Sequence, residues 1–267
     1  DEYHVKVTYE AVNGSVSIAE TYVTLYKDGH YATKAEGGVG YLTEDQIAEA
    51  TANAGYNQAS ESWKPEKPEA GVTKITTATN YVITFTENEA VRISYSPDDA
   101  EHGSVSPEGE EVKPATGTPV GSTATAKDGW AFKHWTKDGE IVSWDRNLSK
   151  EVIDANSKDA NDLYVESGYV AVFGEDKNKD NIPDDLQIVF TYVADNNGTL
   201  EGITSEYHNK YKVKADGTLE LGSDGNPIPV EGMINPEVNV TITPSTGYKF
   251  DSWTDSNNNT YNTTCLL

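Results

Sequence analysis

The residues of this chain best suited to chemistry lie in one acidic stretch, GEDKNKDNIPDDLQ, at residues 174–187. With Asp176 at position one, Asn178 and Asp180 fall at positions three and five, the spacing by which an EF-hand-like loop surrounds a hard cation with oxygen ligands. Position seven, Ile182, would offer its backbone carbonyl, and Asp184 at position nine would bind directly or through water. The spacing therefore predicts a structural Ca²⁺ site.

Two positions of this loop depart from the EF-hand pattern. Position six, where glycine permits the sharp turn, is Asn181, a residue that tolerates positive φ. Position twelve, usually an acid that binds through both oxygens, is Gln187, which leaves Asp185 as the substitute ligand. Two other interpretations stay open, a solvated flexible linker and an acidic catalytic cluster.

The position of the acidic stretch suggests what a bound cation would do. The stretch separates two segments whose alternating apolar residues read as strands. Without a metal, its polar side chains would hydrate or repel one another, and the joint would flex. With Ca²⁺ bound, several oxygens would converge at about 2.3 to 2.6 Å and stiffen the joint.

Other candidate chemistry is sparse in this sequence. The five histidines form no H-x-x-x-H or H-E-x-x-H pair, and no G-x-S-x-G motif accompanies them. Because the chain has 44 acidic residues, two neighbouring carboxylates would say little about glycoside hydrolysis. We therefore predict that the chain is not an enzyme.

The tryptophans are better candidates for packing or binding. Trp63, Trp135 and Trp253 follow glycine–aromatic segments at corresponding places along the chain, which predicts buried residues that fill small cores. Trp144, in IVSWDRN, has no such counterpart. It is our candidate for a residue that binds a partner.

The composition indicates the class of protein. Of 267 residues, 36% are hydrophobic, and Tyr, Thr, Val, Gly and Asn are abundant, which favours strands and turns. Twenty basic residues against 44 acidic ones give a formal charge of −24, which argues against a nucleic-acid partner. The sequence has no run of about 18 apolar residues, so no membrane-spanning segment is predicted. The single Cys265 rules out a disulfide framework, and an acidic β chain of this kind is typical of an exported bacterial protein.

The chain repeats one opening phrase three times. It reads VTYEAVNGSVS at residues 7–17, ISYSPDDAEHGSVS at 93–106 and FTYVADNNGTLEG at 190–202. In each copy, alternating apolar residues end in a tyrosine, and a polar segment with a glycine leads to a second alternation. This pattern predicts three β-hairpins. The tyrosines and glycines are Tyr9, Tyr95, Tyr192, Gly14, Gly103 and Gly198.

Two further phrases divide the chain into units. GWAFKHW and GYKFDSW share the order aromatic-x-Phe-x-x-Trp, and GYNQASESW departs from it. TNYVITF at 79–85 and SGYVAVF at 167–173 alternate as closing strands, and the third copy has no such segment after its tryptophan. We expect repeats at 1–88, 89–175 and 188–267, with the acidic linker at 176–187 and a third repeat that is truncated or closes differently.

The insertions differ between repeats. In the first, TEDQIAEA predicts a short helix with Thr43 as N-cap and Gln46 at the capping-box position. In the third, KVKADGTLEL predicts a hairpin with an Asp-Gly turn. The predicted fold is mainly β with a minor α component, built from tandem small β-rich domains with one short helix in the first.

The aromatic-x-Phe-x-x-Trp phrase, the predicted leading hairpin and the closing YVAVF before DKNKDNIPDD resemble the repeats of Gram-positive surface proteins. These are of the InlB B-repeat and Listeria-Bacteroides repeat type, and the resemblance covers most of the chain as three units. It implies small β-grasp-like modules strung in tandem in wall-anchored proteins, where they serve as stalks, spacers and adhesion modules. The DNIPDD segment also resembles the calcium-binding loops of thrombospondin type 3 repeats, which implies Ca²⁺ there.

These observations predict a non-enzymatic region of a secreted, cell-wall-associated bacterial surface protein. It would act as a stalk or adhesion module whose neighbouring repeats meet at a Ca²⁺-stiffened joint, on the extracellular surface of the cell. In one alternative, the repeats themselves bind a host glycan or protein through the insertions at 24–54 and 203–236. In another, the chain is an accessory region of a secreted polysaccharide-degrading enzyme.

Overall fold

The computed structural model describes residues 2–60 and 62–261. It is mostly β, with 45% of residues in strands and 6% helical, which confirms the predicted fold class. Contacts within the chain define two compact units, one of residues 1–92, 111–119 and 157–166, the other of residues 93–110, 120–156 and 167–267. The strands of each sheet come from a single predicted repeat, and the boundaries of the three repeats stay a prediction.

The first repeat is built on a four-stranded sheet in the order β3-β1-β10-β8. Its two central strands run parallel, with Tyr9 opposite Tyr81, and both outer pairs are antiparallel. Three two-stranded sheets, β2-β7, β4-β5 and β6-β9, complete the repeat. The strands are β1 His4–Val12, β2 Gly14–Val16, β3 Glu20–Thr24, β4 Tyr26–Lys27, β5 His30–Tyr31, β6 Gly40–Tyr41, β7 Ala50–Ala52, β8 Ser62–Lys64, β9 Lys74–Ile75 and β10 Thr79–Thr84.

The core of the first repeat lies on one face of this sheet. The even spacing of apolar residues along β1 and β10 places every second side chain on that face. The buried cluster joins these strands to the insertion, so the insertion is part of the folded domain. Its members are Val7, Tyr9, Val23, Leu42, Ala48, Ile75 and Tyr81.

The second repeat has the same central arrangement. Its five-stranded sheet has the order β13-β11-β18-β15-β16, and β11 runs parallel to β18 with Tyr95 opposite Tyr169. A second sheet has the order β12-β14-β17. The elements are β11 Val91–Pro97, β12 Gly103–Ser106, β13 Gly109–Val112, β14 Ser122–Ala126, β15 Trp130–Lys137, β16 Glu140–Ser143, β17 Asn147–Leu148, α1 Lys150–Asn156 and β18 Ser167–Glu175.

The third repeat contains three two-stranded sheets, β19-β21, β20-β22 and β23-β24. Between them, the predicted Asp-Gly hairpin is present, with Val213 bridged to Leu219 and Gly217 at φ 81°. The strands are β19 Gln187–Thr191, β20 Gly198–Gly202, β21 Ser205–Asn209, β22 Val240–Pro244, β23 Trp253–Thr254 and β24 Thr260–Tyr261. Cys265 lies outside the described residues.

The three predicted hairpins are wrong, and in the same way. The strand that follows the tyrosine strand does not pair with it but belongs to a second sheet, as in β2-β7, β12-β14 and β20-β22. The glycine permits close approach rather than a hairpin turn: a Cβ on Gly14 would lie 2.6 Å from the Phe85 ring, and one on Gly103 would lie 2.4 Å from Phe173. The chain thus crosses beneath an aromatic ring at this point.

The predicted helix in the first repeat is also wrong. Residues Glu44–Gln46 form a single 3₁₀ turn, and the following segment joins β7, which pairs with β2. The Gln46 half of the capping box is present, because the Thr43 N–H donates to Gln46 Oε1 at 3.1 Å. A helix this short is marginal alone, so sheet pairing and burial of Ala48 prevail. The α-helix α1 lies instead in the second repeat.

The burial predicted for three tryptophans is fully confirmed for one of them. Trp135 is completely buried, whereas Trp63 and Trp253 are half-buried. The equivalence of Trp63 and Trp135 is nevertheless clear from the register, because Trp63 lies opposite Ile83 and Trp135 opposite Ala171, each two residues beyond the closing-strand tyrosine.

Candidate metal-binding joint

The acidic loop lies between β18, which ends at Glu175, and β19, which begins at Gln187. Backbone and side-chain contacts hold it against the rest of the second compact unit. The Asp176 N–H donates to the Gly129 carbonyl at 2.9 Å, and Lys179 Nζ lies 2.9 Å from Asp128. Within this structure the segment is therefore a packed loop rather than a loose linker.

Asp176 and Asp180 organise the interior of the loop. Asp176 is only 4% exposed, and its two oxygens accept the N–H groups of Asp180 at 3.1 Å and Asn181 at 2.9 Å. The Asp180 carboxylate accepts the Ile182 N–H at 2.9 Å and the Asn178 amide at 2.9 Å. Four of the predicted ligand residues are thus linked to one another by hydrogen bonds.

The backbone of the loop adopts the turn that its sequence predicts. Asn181, at position six, has φ 69°, and Lys179 has φ 60°. Ile182 and Pro183 follow with buried side chains, and a Cβ on Gly174 would meet Pro183 at 2.7 Å. Packing of this apolar pair against the end of β18 fixes the path of the loop.

The two aspartates after the proline make different contacts. Asp184 accepts the Lys177 N–H at 3.2 Å, and Lys177 Nζ lies 3.7 Å from its other oxygen. Asp185 forms an ion pair with Lys133, and Lys210 Nζ donates to its backbone carbonyl at 2.8 Å. The structure therefore links Asp184 to the loop backbone and turns the Asp185 carboxylate toward Lys133 instead of the Asp176–Asp180 pair.

Gln187 is the residue whose importance the sequence pattern understated. It is 4% exposed, and its Nε2 donates to Asp180 Oδ2 at 2.7 Å and to Asn209 Oδ1 at 2.6 Å. Its Oε1 is buried and has no hydrogen-bond partner among the described residues. Its place at position twelve was the available signal, because an amide oxygen can occupy the position that an acid usually fills.

A hard cation in this loop would be held by mixed oxygen donors rather than by a carboxylate cluster. Among residues 2–60 and 62–261, no three His, Cys, Asp or Glu side chains converge as a metal-binding group. The set here combines the carboxylates of Asp176 and Asp180 with amide and carbonyl oxygens. Gln187 contacts this set through its Nε2, and its buried Oε1 is an oxygen without a hydrogen-bond donor among the described residues.

Trp144 lies apart from this chemistry. It is half-buried and meets His134 edge to face, with ring centroids 5.0 Å apart. It lines a groove of about 790 Å³ in the second compact unit, together with Trp130 and Lys179. Burial lowers the pKa of His134, and the nearby Lys133 charge lowers it further. A role for Trp144 in partner binding stays a prediction.

One aromatic pair recurs in all three repeats. A tyrosine in the first strand, or directly after it in the third repeat, contacts the repeat tryptophan. The centroid distances are 6.2 Å for Tyr9–Trp63, 6.3 Å for Tyr95–Trp135 and 5.5 Å for Tyr192–Trp253. With the strand order that the first two repeats share, these pairs define a class of protein, a tandem array of small β-rich repeat modules.

Part of the chain is similar to a known repeat family. The model of the divergent InlB B-repeat domain matches residues 93–159 and 210–266, so these two segments are similar to InlB B-repeat modules. That family occurs in bacterial surface proteins and consists of non-catalytic repeats. No curated protein and no solved structure matched the chain. No helix among the described residues is long and apolar enough to cross a bilayer.

Proposed function

We propose that this chain is a non-catalytic stalk or adhesion region of a secreted, cell-wall-associated bacterial surface protein, with a joint between its second and third repeats that Ca²⁺ stiffens. The InlB B-repeat modules support the surface role. The single observation that carries the joint is Gln187, which bonds to Asp180 through Nε2 and has a buried Oε1 without a partner among the described residues.

The residues that would hold the cation come from both sides of the loop. Asp176, Asn178 and Asp180 would supply side-chain oxygens, and Ile182 its carbonyl. Asp184, at position nine of the loop, would bind the cation directly or through water. Gln187, the first residue of β19, would complete the set in place of Asp185. Bound Ca²⁺ would supply a positive charge that offsets the carboxylates and ties the end of β18 to the start of β19.

The mechanical consequence follows from where these residues lie. Asp176 immediately follows a nine-residue strand of the second repeat, and Gln187 belongs to the first strand of the third. A ligand shared by the two ends would remove conformational freedom from the segment that connects these strands. The joint would then transmit force as a stiff element rather than as a flexible chain.

Titration calorimetry with Ca²⁺ on the whole chain tests the joint. We expect saturable binding, and we expect the double variant Asp176→Asn, Asp180→Asn to weaken it at least about tenfold, because two charged ligands become neutral. The matched control, Asp195→Asn with Asp224→Asn, removes two charges from exposed turns elsewhere and should leave binding unchanged. Equal, negligible heats in wild type and both variants would refute the joint.

A second candidate function has support in the first repeat. Four tyrosines that are 44 to 65% exposed, Tyr22, Tyr26, Tyr31 and Tyr41, lie on β3 and the insertion, and three of them line a groove of about 530 Å³. Exposed aromatic rings of this kind suit stacking on a host glycan or docking of a protein. A glycan-array signal that is lost in Tyr26→Ala, Tyr31→Ala would support this function, and its absence would remove it.

A further inference from the structure

A groove of about 790 Å³ lies within the second compact unit. Its walls come from β14 and β15, from the segment before β17, from the acidic loop and from the Asp-Gly hairpin of the third repeat. Ligand sites in proteins commonly have volumes of about 300–1,000 Å³. The groove is therefore large enough to hold a ligand of several rings.

The charge of this groove differs from that of the whole chain. The chain has 44 acidic and 20 basic residues, yet five basic residues line the groove against four acidic ones. The acidic excess of the protein surface is thus absent here. The basic residues are Lys127, Lys133, Arg146, Lys179 and Lys214.

The four acids of the groove already accept hydrogen bonds from the protein. Asp176 accepts two N–H groups of the acidic loop, and Asp128 accepts Lys179 Nζ at 2.9 Å. Asp145 and Asp216 each accept the N–H two residues further along the chain, at 2.9 and 3.0 Å. These carboxylates are therefore engaged within the protein rather than aimed at a ligand.

Two cations of the groove have no acidic partner. Lys133 and Lys179 form ion pairs, and Lys214 lies near one of the groove's acids, whose pKa it helps to lower. Lys127 and Arg146 are exposed, and neither has a carboxylate within 4.0 Å among the described residues. A negatively charged ligand would complement these two side chains.

Each unpaired cation has a tryptophan of the groove close to it along the chain. The Trp130 N–H donates to the Lys127 carbonyl at 3.0 Å, across a turn in which Gly129 has φ 81°. Arg146 follows Trp144 by two residues, and its carbonyl accepts hydrogen bonds from the core and from β14 at 3.2 and 2.9 Å. The groove thus contains two tryptophan–cation pairs.

Both tryptophans of these pairs are supported by a histidine. His102 stacks on Trp130 with ring centroids 3.6 Å apart, and His134 meets Trp144 edge to face. Because His102 covers one face of Trp130, a ligand would meet the other face. The negative face of an indole attracts the C–H groups of a sugar ring. Hydroxyl and amide groups also line the groove, from Thr123, Thr125, Thr218, Asn147 and Asn181.

We propose that this groove binds an acidic oligosaccharide. Sugar rings stack on Trp130 and Trp144, and carboxylate or sulfate groups of the sugar pair with Lys127 and Arg146. The arginine fork can hold a carboxylate through two parallel N–H donors. This site adds a class of ligand to the proposed adhesion role, and it requires neither the calcium joint nor the tyrosine groove of the first repeat.

Titration calorimetry of the whole chain with two acidic hexasaccharides tests the site. Hexagalacturonate carries carboxylates alone, and a heparin-derived hexasaccharide carries sulfates as well, so the two probes separate the charged groups. EDTA in the buffer prevents calcium from bridging protein and sugar, which keeps this test apart from that of the joint. We expect saturable binding of at least one probe that weakens as salt is added, because salt screens exposed ion pairs.

A charge variant locates the binding. Lys127→Gln with Arg146→Gln should weaken it at least about tenfold, because both ion pairs with the sugar are lost. Both side chains are exposed, so the near-ultraviolet circular dichroism of the variant should match that of the wild type. The matched control, Lys34→Gln with Lys74→Gln, removes two exposed cations of the first repeat and should leave the affinity unchanged.

The indole N–H resonances of the tryptophans report where the sugar rings lie. Those of Trp130 and Trp144 should shift when the hexasaccharide is added. That of Trp135, which is completely buried and donates to a backbone carbonyl, should stay in place. Substitution of each tryptophan by phenylalanine assigns the signals.

Four results would overturn the oligosaccharide site. Neither acidic hexasaccharide might bind, or the Lys127 and Arg146 variant might bind as tightly as the wild type. Equal binding of neutral cellohexaose would show that charge is not read. Equal binding of a hexaglutamate peptide would show that charge alone is read, without the sugar rings.

Discussion

At the residue scale, glycine in this chain makes room for an aromatic ring. The pattern Tyr, polar segment, Gly predicts a turn, yet Gly14 and Gly103 matter because the backbone passes beneath Phe85 and Phe173 at distances that exclude a side chain. The residue at positive φ beside Gly14 is Asn13, at φ 62°. The same glycine therefore serves close packing across two sheets.

Substitution of Gly103 tests this role. A Cβ there would lie 2.4 to 2.7 Å from three atoms of the Phe173 ring, so Gly103→Ala should lower the free energy of unfolding by about 1–3 kcal/mol through overpacking. Gly168→Ala is the matched control, because its nearest neighbour is the Ser94 hydroxyl at 3.3 Å. Urea unfolding measures both, and equal effects would contradict the close-packing account.

At the scale of elements, glutamates fasten loops to strands. Glu110, on β13, accepts the Tyr95 hydroxyl at 2.5 Å and the N–H groups of Val120 and Gly121 at 2.8 and 3.0 Å. Glu206, on β21, is buried and accepts the N–H groups of Glu237 and Asn239 at 2.7 and 2.9 Å. Each carboxylate closes a loop or insertion onto the sheet.

The attachment at Glu206 should be lost in acid. Burial alone would raise the pKa of Glu206, but the N–H groups of Asn239 and Glu237, with His208 and Tyr192 nearby, hold that pKa below its usual range. Because the folded-state pKa is depressed, the stabilisation is complete above the unfolded-state pKa of about 4.3 and is lost as the pH falls through the lower folded value.

Amide chemical shifts of Glu237 and Asn239 measure this titration. In the wild type they should move together as the pH falls below about 4. In Glu206→Gln they should be independent of pH over this range. Glu201→Gln, an exposed substitution on β20, should titrate as the wild type does. Unchanged titration in Glu206→Gln would assign the shifts to another group.

At the scale of the whole molecule, the acidic excess is mostly a property of the surface. Among the described residues, only Asp176 and Glu206 are buried acids, and both are held by backbone N–H groups. The remaining charge of a chain with 44 acidic and 20 basic residues favours solubility. The burial of Asp176 therefore distinguishes this candidate ligand from the exposed acids.

Limited proteolysis would report the proposed joint in the intact chain. Lys177 and Lys179 have side chains that are 65% and 66% exposed within the loop, so trypsin can reach them when the loop opens. We expect cleavage there to slow several-fold when Ca²⁺ replaces EDTA, because the loop opens less often. Cleavage at the exposed Lys34, in a turn of the first repeat, is the internal reference. Equal slowing at Lys34 would indicate a general effect of the ion.

The sequence by itself determined what depends on local pattern. Alternating apolar residues predicted the tyrosine strands and the closing strands, and the recurring Tyr and Trp phrases predicted repeats. The ligand spacing at Asp176, Asn178 and Asp180 predicted a loop whose Asn181 has positive φ, as it does at 69°. Each of these features depends on about ten consecutive residues, whose backbone conformations are restricted by covalent geometry.

Only the tertiary structure decided which segments meet. The alternation of a strand does not specify which strand it pairs with. For that reason the sequence did not predict the crossing from the tyrosine strand to a second sheet, the extended path after Gln46 or the ion pair of Asp185 with Lys133. The same long-range contacts bring Gln187 beside Asp180. Pairing and burial are properties of residues far apart in the chain, and they determine the candidate joint.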